Sequence, residues 1–284
     1  MNPWQGDWPA PAKLNLFLHV VGRRADGFHL LQTVFRFLDF GDTLNFAPRD
    51  DGRIVLCTPL PGVPPEQDLT VRAALRLQQA TGTRQGADIS LVKRLPMGGG
   101  LGGGSSDAAT LLLALNHLWN TRLSAQELQR IGLELGADVP IFIHGHAAFA
   151  EGVGERFCDV DLPAAWYLVL VPPVAVPTAQ IFKSPELRRD TPAMSAAAWR
   201  PGSGGNEGND LQPVACALYP EIAQHLDWLR QFGSARMSGS GACVFAEFAD
   251  AESARAAHAA LPHTMQGFVA RGLDINPALA LTTR

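Results

Sequence analysis

The chain has 284 residues, 46% of them hydrophobic and 18% charged, which suits one large domain or two small ones with a full apolar core. With 23 basic against 27 acidic side chains and a formal charge of −4, it lacks the surplus of Lys and Arg by which nucleic-acid binders displace counterions. Lysine is scarce: only Lys13, Lys93 and Lys183 occur, the remaining basic residues being Arg.

In chain order, residues 1–11 hold Asp7 and several prolines but no continuous apolar run, so no signal peptide is expected. Residues 12–20, 30–38, 43–47 and 53–57 read as strands. A helix is expected over 69–80 with Asp68 as its cap, then a strand over 87–93. A glycine-rich run follows, from Leu95 to Asp107, leading into a helix over 108–119 that is apolar nearly all round, as a buried helix should be. Ser124 and Glu127 have the spacing of a capping box, and Gly136 stops that helix ahead of Asp138-Val139-Pro140. Residues 167–171 form an apolar strand followed by Pro172, Pro173 and Pro177, which marks the opening of a second half near residue 160. The stretch 201–210, rich in Gly, Ser and Asn, reads as a mobile surface loop. Helices over 221–231 and 251–260 and strands over 243–248 and 268–273 complete an α+β chain. Cys57, Cys158, Cys216 and Cys243 are scattered, indicating neither a zinc site nor a disulfide framework. With no apolar run of about 18 residues to span a bilayer, a cytoplasmic protein that binds neither membrane nor nucleic acid is expected.

The glycine run carries the strongest local signal. A backbone without Cβ atoms folds closely around a ligand and reaches positive φ, turning its N–H groups toward an anion, and the helix behind it adds its positive end. Ser105 and Ser106 add hydroxyls, one of which could cap the helix. A Walker A loop is excluded, because Gly104 stands where its lysine belongs. Gly98-x-Gly100-x-x-Gly103 matches a dinucleotide fingerprint only as a bare pattern, since a second helix follows instead of the strand of a βαβ unit. The loop therefore reads as a phosphate cradle of a third design.

Alternation places Lys13 and Asn15 on one face of the first strand, which on spacing alone is a solvated face or the wall of a cleft. Asp138 on its own reads as a turn or capping residue before Pro140. Beside a phosphate loop both gain a chemical role: phosphoryl transfer to an alcohol uses a carboxylate to take the hydroxyl proton and a cation beside the developing charge.

Taken together the segments resemble the GHMP kinases, the family of galactokinase, homoserine kinase and mevalonate kinase. The resemblance rests on Pro11-Ala12-Lys13-Leu14-Asn15-Leu16, on the run from Leu95 to Ala109, and on Ser238-Gly239-Ser240-Gly241-Ala242-Cys243. Gly22-Arg23-Arg24-Ala25-Asp26-Gly27-Phe28-His29, Gly136-Ala137-Asp138-Val139-Pro140 and Gly152-Val153-Gly154-Glu155 narrow it to a member whose alcohol substrate carries a cytidine diphosphate. The resemblance implies a two-lobed fold. Its N-terminal lobe, 1–160, has a ribosomal-protein-like βαβ unit and binds ATP, and its C-terminal lobe, 161–284, is an α/β sandwich on the substrate side.

By the same resemblance Lys13 and Asp138 form the catalytic pair. Pro96, Met97, Gly98, Gly99, Gly100, Leu101, Gly102, Gly103, Gly104, Ser105 and Ser106 would hold the ATP phosphates, and Asp68 would lie near the adenine. His29 would hydrogen-bond the cytosine, Phe28 and Phe182 would stack on it, and Asn15 and Thr178 would contact the substrate. Mg²⁺ should accompany ATP; its protein ligands are unassigned, with Ser105, Ser106 and Glu151 candidates by chemistry only. Two positions depart from the pattern: Phe28 stands where Tyr is usual and Asp68 where Asn is usual. The competing readings are another GHMP small-molecule kinase of homoserine or mevalonate type, or a catalytically silent nucleotide-binding protein. A monomer or weak homodimer is expected.

Overall fold

A computed structural model describes residues 4–200 and 207–282. Its first two strands form one long antiparallel hairpin, β1 (Trp8–Arg23) and β2 (His29–Arg49). The two stretches expected at 30–38 and 43–47 are thus a single strand. It stays continuous because β2 has a different partner along each part of its length: β5 (Ala148–Glu151) at Thr33 to Phe35, and β4 (Gly86–Val92) from Thr43 to Arg49. β3 (Ile54–Leu56) lies parallel to β4, and α1 (Leu69–Thr81) connects them, giving the expected βαβ unit. Asp68 caps α1, accepting from the amides of Thr70 (2.8 Å) and Val71 (3.4 Å).

α2 (Gly103–Leu118) begins inside the glycine run, earlier than its apolar pattern suggests. The Ser106 amide already bonds Gly102 O at 2.8 Å, so the last residues of the run form the first helical turn. The cap is Gly102, in the left-handed region, and no side chain bonds the first-turn amides; Ser105 and Ser106 are inside the helix, not its caps. α3 (Ala125–Leu135) carries the full Ser124–Glu127 capping box. α4 (Val139–His144) follows at once, with Pro140 in its first turn. These helices bury one face of the N-terminal strands: Leu111, Leu112 and Leu115 of α2 meet Leu77 of α1, Ile141 and Phe142 of α4, and Phe37 and Leu44 of β2.

β6 (Arg156–Asp159) pairs with β5. The later strands β7 (Trp166–Leu170), β8 (Ala235–Met237), β9 (Val244–Phe248) and β10 (Gly267–Leu273) pair antiparallel in the order β10-β7-β9-β8. They are joined by the short helix α5 (Thr178–Lys183), by α6 (Gln212–Leu218) and α7 (Pro220–Leu229), and by α8 (Ala251–Ala259). β10 also pairs with β2, through Gly272 opposite Leu38 and Leu273 opposite Phe37, so one path of strands runs through both halves. After β10 the chain returns to the N-terminal helices: Asn276 Nδ2 donates to Phe142 O at 2.7 Å, and Leu279 of α9 (Leu279–Thr282) packs on their core. No helix among the described residues is long and apolar enough to cross a membrane.

The loop expected to be mobile at 201–210 lies outside the described residues up to 206. Its remaining part is fixed. Asn209 is buried and donates to Met237 O and Gly239 O, both at 2.8 Å. Asp210 accepts from the Val20 amide and the Thr191 hydroxyl, both at 2.7 Å. A polar composition suggested solvent, but these side chains satisfy buried backbone groups of neighbouring strands and turns.

Candidate active site

β1 brings Lys13 under the glycine loop. Both faces of the strand are covered here, so Lys13 is 2% exposed and is not the solvated residue that alternation alone allows. Its ammonium has a full set of partners: Asn15 Oδ1 at 2.5 Å, Gly100 O at 3.1 Å and the Asp138 carboxylate at 3.2 Å. The Phe35 ring lies beneath it, 5.5 Å from Nζ. A buried ammonium persists only when so compensated. Asn15 is positioned in turn, donating from Nδ2 to Thr33 Oγ1 (3.0 Å) and from its backbone to Ser238 Oγ (3.2 Å).

Asp138 stands at the start of α4 but makes no capping hydrogen bond. Its carboxylate faces Lys13 and remains 38% exposed. The carboxylate is therefore oriented by a fixed cation on one side and open to a ligand on the other, as a proton acceptor must be.

The glycine loop closes over this pair. Gly98, Gly100 and Gly102 all have φ near +70°, at 68°, 75° and 73°. At Gly100 the requirement is also steric, since a Cβ would sit 2.2 Å from Ser238 O. The turn of the last motif packs directly against the first loop, with Ser238 Oγ donating to Gly100 O at 3.0 Å and the Cys243 amide to Gly99 O at 3.0 Å. The uncapped start of α2 leaves its first amides available to an anion.

A cavity of about 520 Å³ joins these parts. Lys13, Asn15, Asp138, Thr178, Phe182, Asp68, Ser105 and the loop residues from Pro96 to Gly104, apart from Leu101, all line it. Leu101 is instead buried in the core, its carbonyl accepting from the Lys13 amide at 2.9 Å. Ser106 is fully buried, its hydroxyl without a protein partner. Thr178 shares a hydrogen bond with Ser240 (2.7 Å). His29 and Phe182 meet with ring centroids 4.9 Å apart, but of the two only Phe182 lines the cavity; His29 lies outside the lining, as does Phe28, which stands exposed in the hairpin turn. Asp68 is buried in the cavity wall, its Oδ1 engaged by the first turn of α1. One side of the carboxylate is thus committed to a helix cap before any base arrives.

The motifs alone did not reveal a second charged group. Lys93 bridges two carboxylates under the start of α2, Asp42 and Asp107, the latter at 2.8 Å. Asp42 also accepts from the amides of Arg94 (2.5 Å) and Leu95 (2.8 Å), which fixes the entry to the glycine loop. Burial raises the Asp107 carboxyl to about 7, against the opposing pull of Lys93. The scarcity of lysine was the available signal, but Asp42 and Asp107 come from distant segments with no shared motif. Among the described residues no cluster of His, Cys, Asp and Glu suits a metal ion.

The match to known proteins is extensive. Residues 68–146 match the model of the GHMP kinases N terminal domain and residues 189–267 that of the GHMP kinases C terminal domain. A protein of Dechloromonas aromatica named 4-diphosphocytidyl-2-C-methyl-D-erythritol kinase is 62% identical over 95% of this chain and 98% of its own length. One of the same name from Thiobacillus denitrificans is 63% identical over 95% and 96%. A crystal structure of 4-(cytidine 5'-diphospho)-2C-methyl-D-erythritol kinase superposes with a TM-score of 0.82 at 34% identity, covering 94% of this chain and 99% of the other. Homoserine kinase from Cytophaga hutchinsonii shares the fold, with a TM-score of 0.66 at 18% identity over 94% of each chain. The glycine loop, the paired Lys13 and Asp138 and these likenesses agree, and the chain belongs to the GHMP kinase family.

Proposed function

We propose that the protein is an ATP-dependent kinase that phosphorylates the C2 hydroxyl of 4-diphosphocytidyl-2-C-methyl-D-erythritol, a step of non-mevalonate isoprenoid precursor synthesis in the cytoplasm. The observation that carries the chemistry is the Lys13–Asp138 contact at 3.2 Å inside the cavity that the glycine loop closes. The choice of substrate rests on relatives of that name at 62% and 63% identity over nearly the whole chain.

In this reading the loop amides and the start of α2 hold the triphosphate, and Asp138 takes the proton of the attacking hydroxyl. Lys13 orients Asp138 and offsets the charge gathering on the transferred group. Because Lys13 is already bonded to Asn15 and Gly100, it needs no rearrangement during transfer. Asn15 and Thr178 contact the acceptor, and His29, Phe182 and Phe28 hold the base. Mg²⁺ neutralises the phosphates when bound. Ser105, at the start of α2 and in the cavity wall, fits a cation that takes most of its ligands from nucleotide and water. The Ser106 hydroxyl is fully buried and outside the cavity lining, and Glu151 already accepts from Gln32 (2.9 Å), so neither fits the cation as well as Ser105.

A coupled ADP-release assay with the cytidyl substrate beside mevalonate and homoserine tests the reading. Turnover confined to the cytidyl substrate is expected; turnover of mevalonate or homoserine alone would overturn the substrate, and ATP binding without ADP release from any alcohol would overturn the activity.

A further inference from the structure

Arg189 follows α5 in sequence and is tied down at every nitrogen. Its Nη1 donates to Leu187 O at 2.8 Å, and its Nη2 to Phe182 O at 3.1 Å and Ser184 O at 2.7 Å. The remaining donor, Nε, points at His29 Nε2 from 3.2 Å. A guanidinium has no acceptor and keeps its charge, so His29 Nε2 must be the acceptor and bear no proton. A neutral imidazole with a bare Nε2 carries its hydrogen on Nδ1. Among the described residues no protein group bonds that Nδ1.

We infer that Arg189 holds His29 as the neutral Nδ1–H tautomer, and that this fixed donor makes the site select a pyrimidine with a bare ring N3, cytosine, over one bearing N3–H, uracil. The inference rests on the proposed role of His29 at the base. Cytosine presents its bare N3 as an acceptor, to which an Nδ1–H donates. Uracil turns a second donor toward the same point, leaving two donors facing each other and one hydrogen bond unmade. Opposite the same ring N3, the other tautomer would present an acceptor, which meets uracil N3–H but not the bare N3 of cytosine. The surroundings oppose protonation of the ring as well: burial first, then Arg189 and Arg23, lower the His29 pKa below its ordinary value. Asp26, the carboxylate of the same hairpin turn, is engaged with Arg24 at 2.6 Å. The guanidinium that sets the tautomer also fixes the backbone of Phe182, whose ring lies 4.9 Å from that of His29. Arg189 is thus a positioning residue acting through His29 and not a group that touches the base.

Two measurements test this. Imidazole nitrogen NMR on the ¹⁵N-labelled full chain at neutral pH reads the tautomer directly and needs no variant. A protonated Nδ1 with a bare Nε2 on His29 is expected; the reverse tautomer, or an imidazolium, overturns the inference. The second is the ratio of kcat/KM for the cytidyl substrate to that for its uridyl counterpart. Arg189→Gln should lower the ratio about tenfold, the worth of one hydrogen bond, with KM for ATP unchanged. Arg189→Lys, which unlike Gln has donors only and cannot accept from a protonated Nε2, should recover part of it. In a His29→Ala background Arg189→Gln should change the ratio no further. An unchanged ratio in Arg189→Gln, or an undiminished drop without His29, overturns the inference. Absence of turnover with the cytidyl substrate in the wild type would instead sink the proposed function, while the NMR result would still decide the tautomer.

Discussion

In the proposed mechanism Lys13 is the buried cation and Asp138 the open carboxylate, 3.2 Å apart and 2% and 38% exposed. Asp138→Asn keeps the shape but removes the proton acceptor, so kcat should fall about a hundredfold or more while KM for ATP stays nearly constant. Steady-state kinetics at saturating cytidyl substrate check this, and an unchanged kcat would remove Asp138 from that role. Asp107 makes a different prediction. Its carboxyl is raised from 3.8 to about 7 by burial, so in that range the folded chain binds a proton that the unfolded chain has already released. Its contribution to stability therefore declines as pH rises from about 4 to about 7. Denaturant midpoints across that window should show the decline, and Asp107→Asn should flatten it; an identical slope in the variant would contradict the assignment. Lys13 and Asp138 were readable as candidates in the sequence, but their meeting was not. Lys13 sits in a strand and Asp138 at a helix start far along the chain, and only the packing of β1 under the glycine loop joins them. Arg189 was not readable at all, because its partner His29 lies in another half of the molecule and the segment around Arg189 looks like an ordinary charged turn.

The glycine loop and α2 act as one element. Three glycines near φ +70° turn the chain so that the helix begins at the cavity with bare amides. Gly100 is the tightest point, because an added methyl would meet the carbonyl of Ser238, whose turn borders the Lys13 site. Gly100→Ala should therefore destabilise the protein by roughly 2 kcal/mol or more, combining left-handed strain with a backbone clash. It should also lower kcat/KM for both substrates. Urea unfolding with matched kinetics would show it, and wild-type stability in the variant would mean that the two turns are not in firm contact. The loop was legible because a run of glycines between a strand and an apolar helix has few other uses. Its boundary with α2 was not, since glycine and serine favour loops locally and are drawn into the helix here by the buried face that follows. Asp68 was read correctly as a cap, from the same local logic that sets most helix starts.

At the scale of the whole molecule the two halves share more than a seam. β10 pairs with both β7 and β2, and the chain beyond it returns to pack Asn276, Ala278 and Leu279 on α2 and α4. A fragment ending at residue 160 lacks that strand and that tail, and should fail to give a cooperative unfolding transition by circular dichroism. A cooperative fragment would show an independent N-terminal lobe. The proposed division at 160 thus follows the order of the sequence more closely than the order of the sheet. The net charge of −4 is consistent with an anionic ligand, because in the proposed function the phosphates are held by backbone amides, a helix end and a local lysine instead of a basic surface.

The most direct test of the account is to identify the product. After incubation with ATP and 4-diphosphocytidyl-2-C-methyl-D-erythritol, ³¹P NMR and mass spectrometry should find one new phosphomonoester on the C2 oxygen for each ADP formed, and Asp138→Asn should form it at least about a hundredfold more slowly. ADP released with inorganic phosphate and no such ester, or an ester at another oxygen, would contradict it.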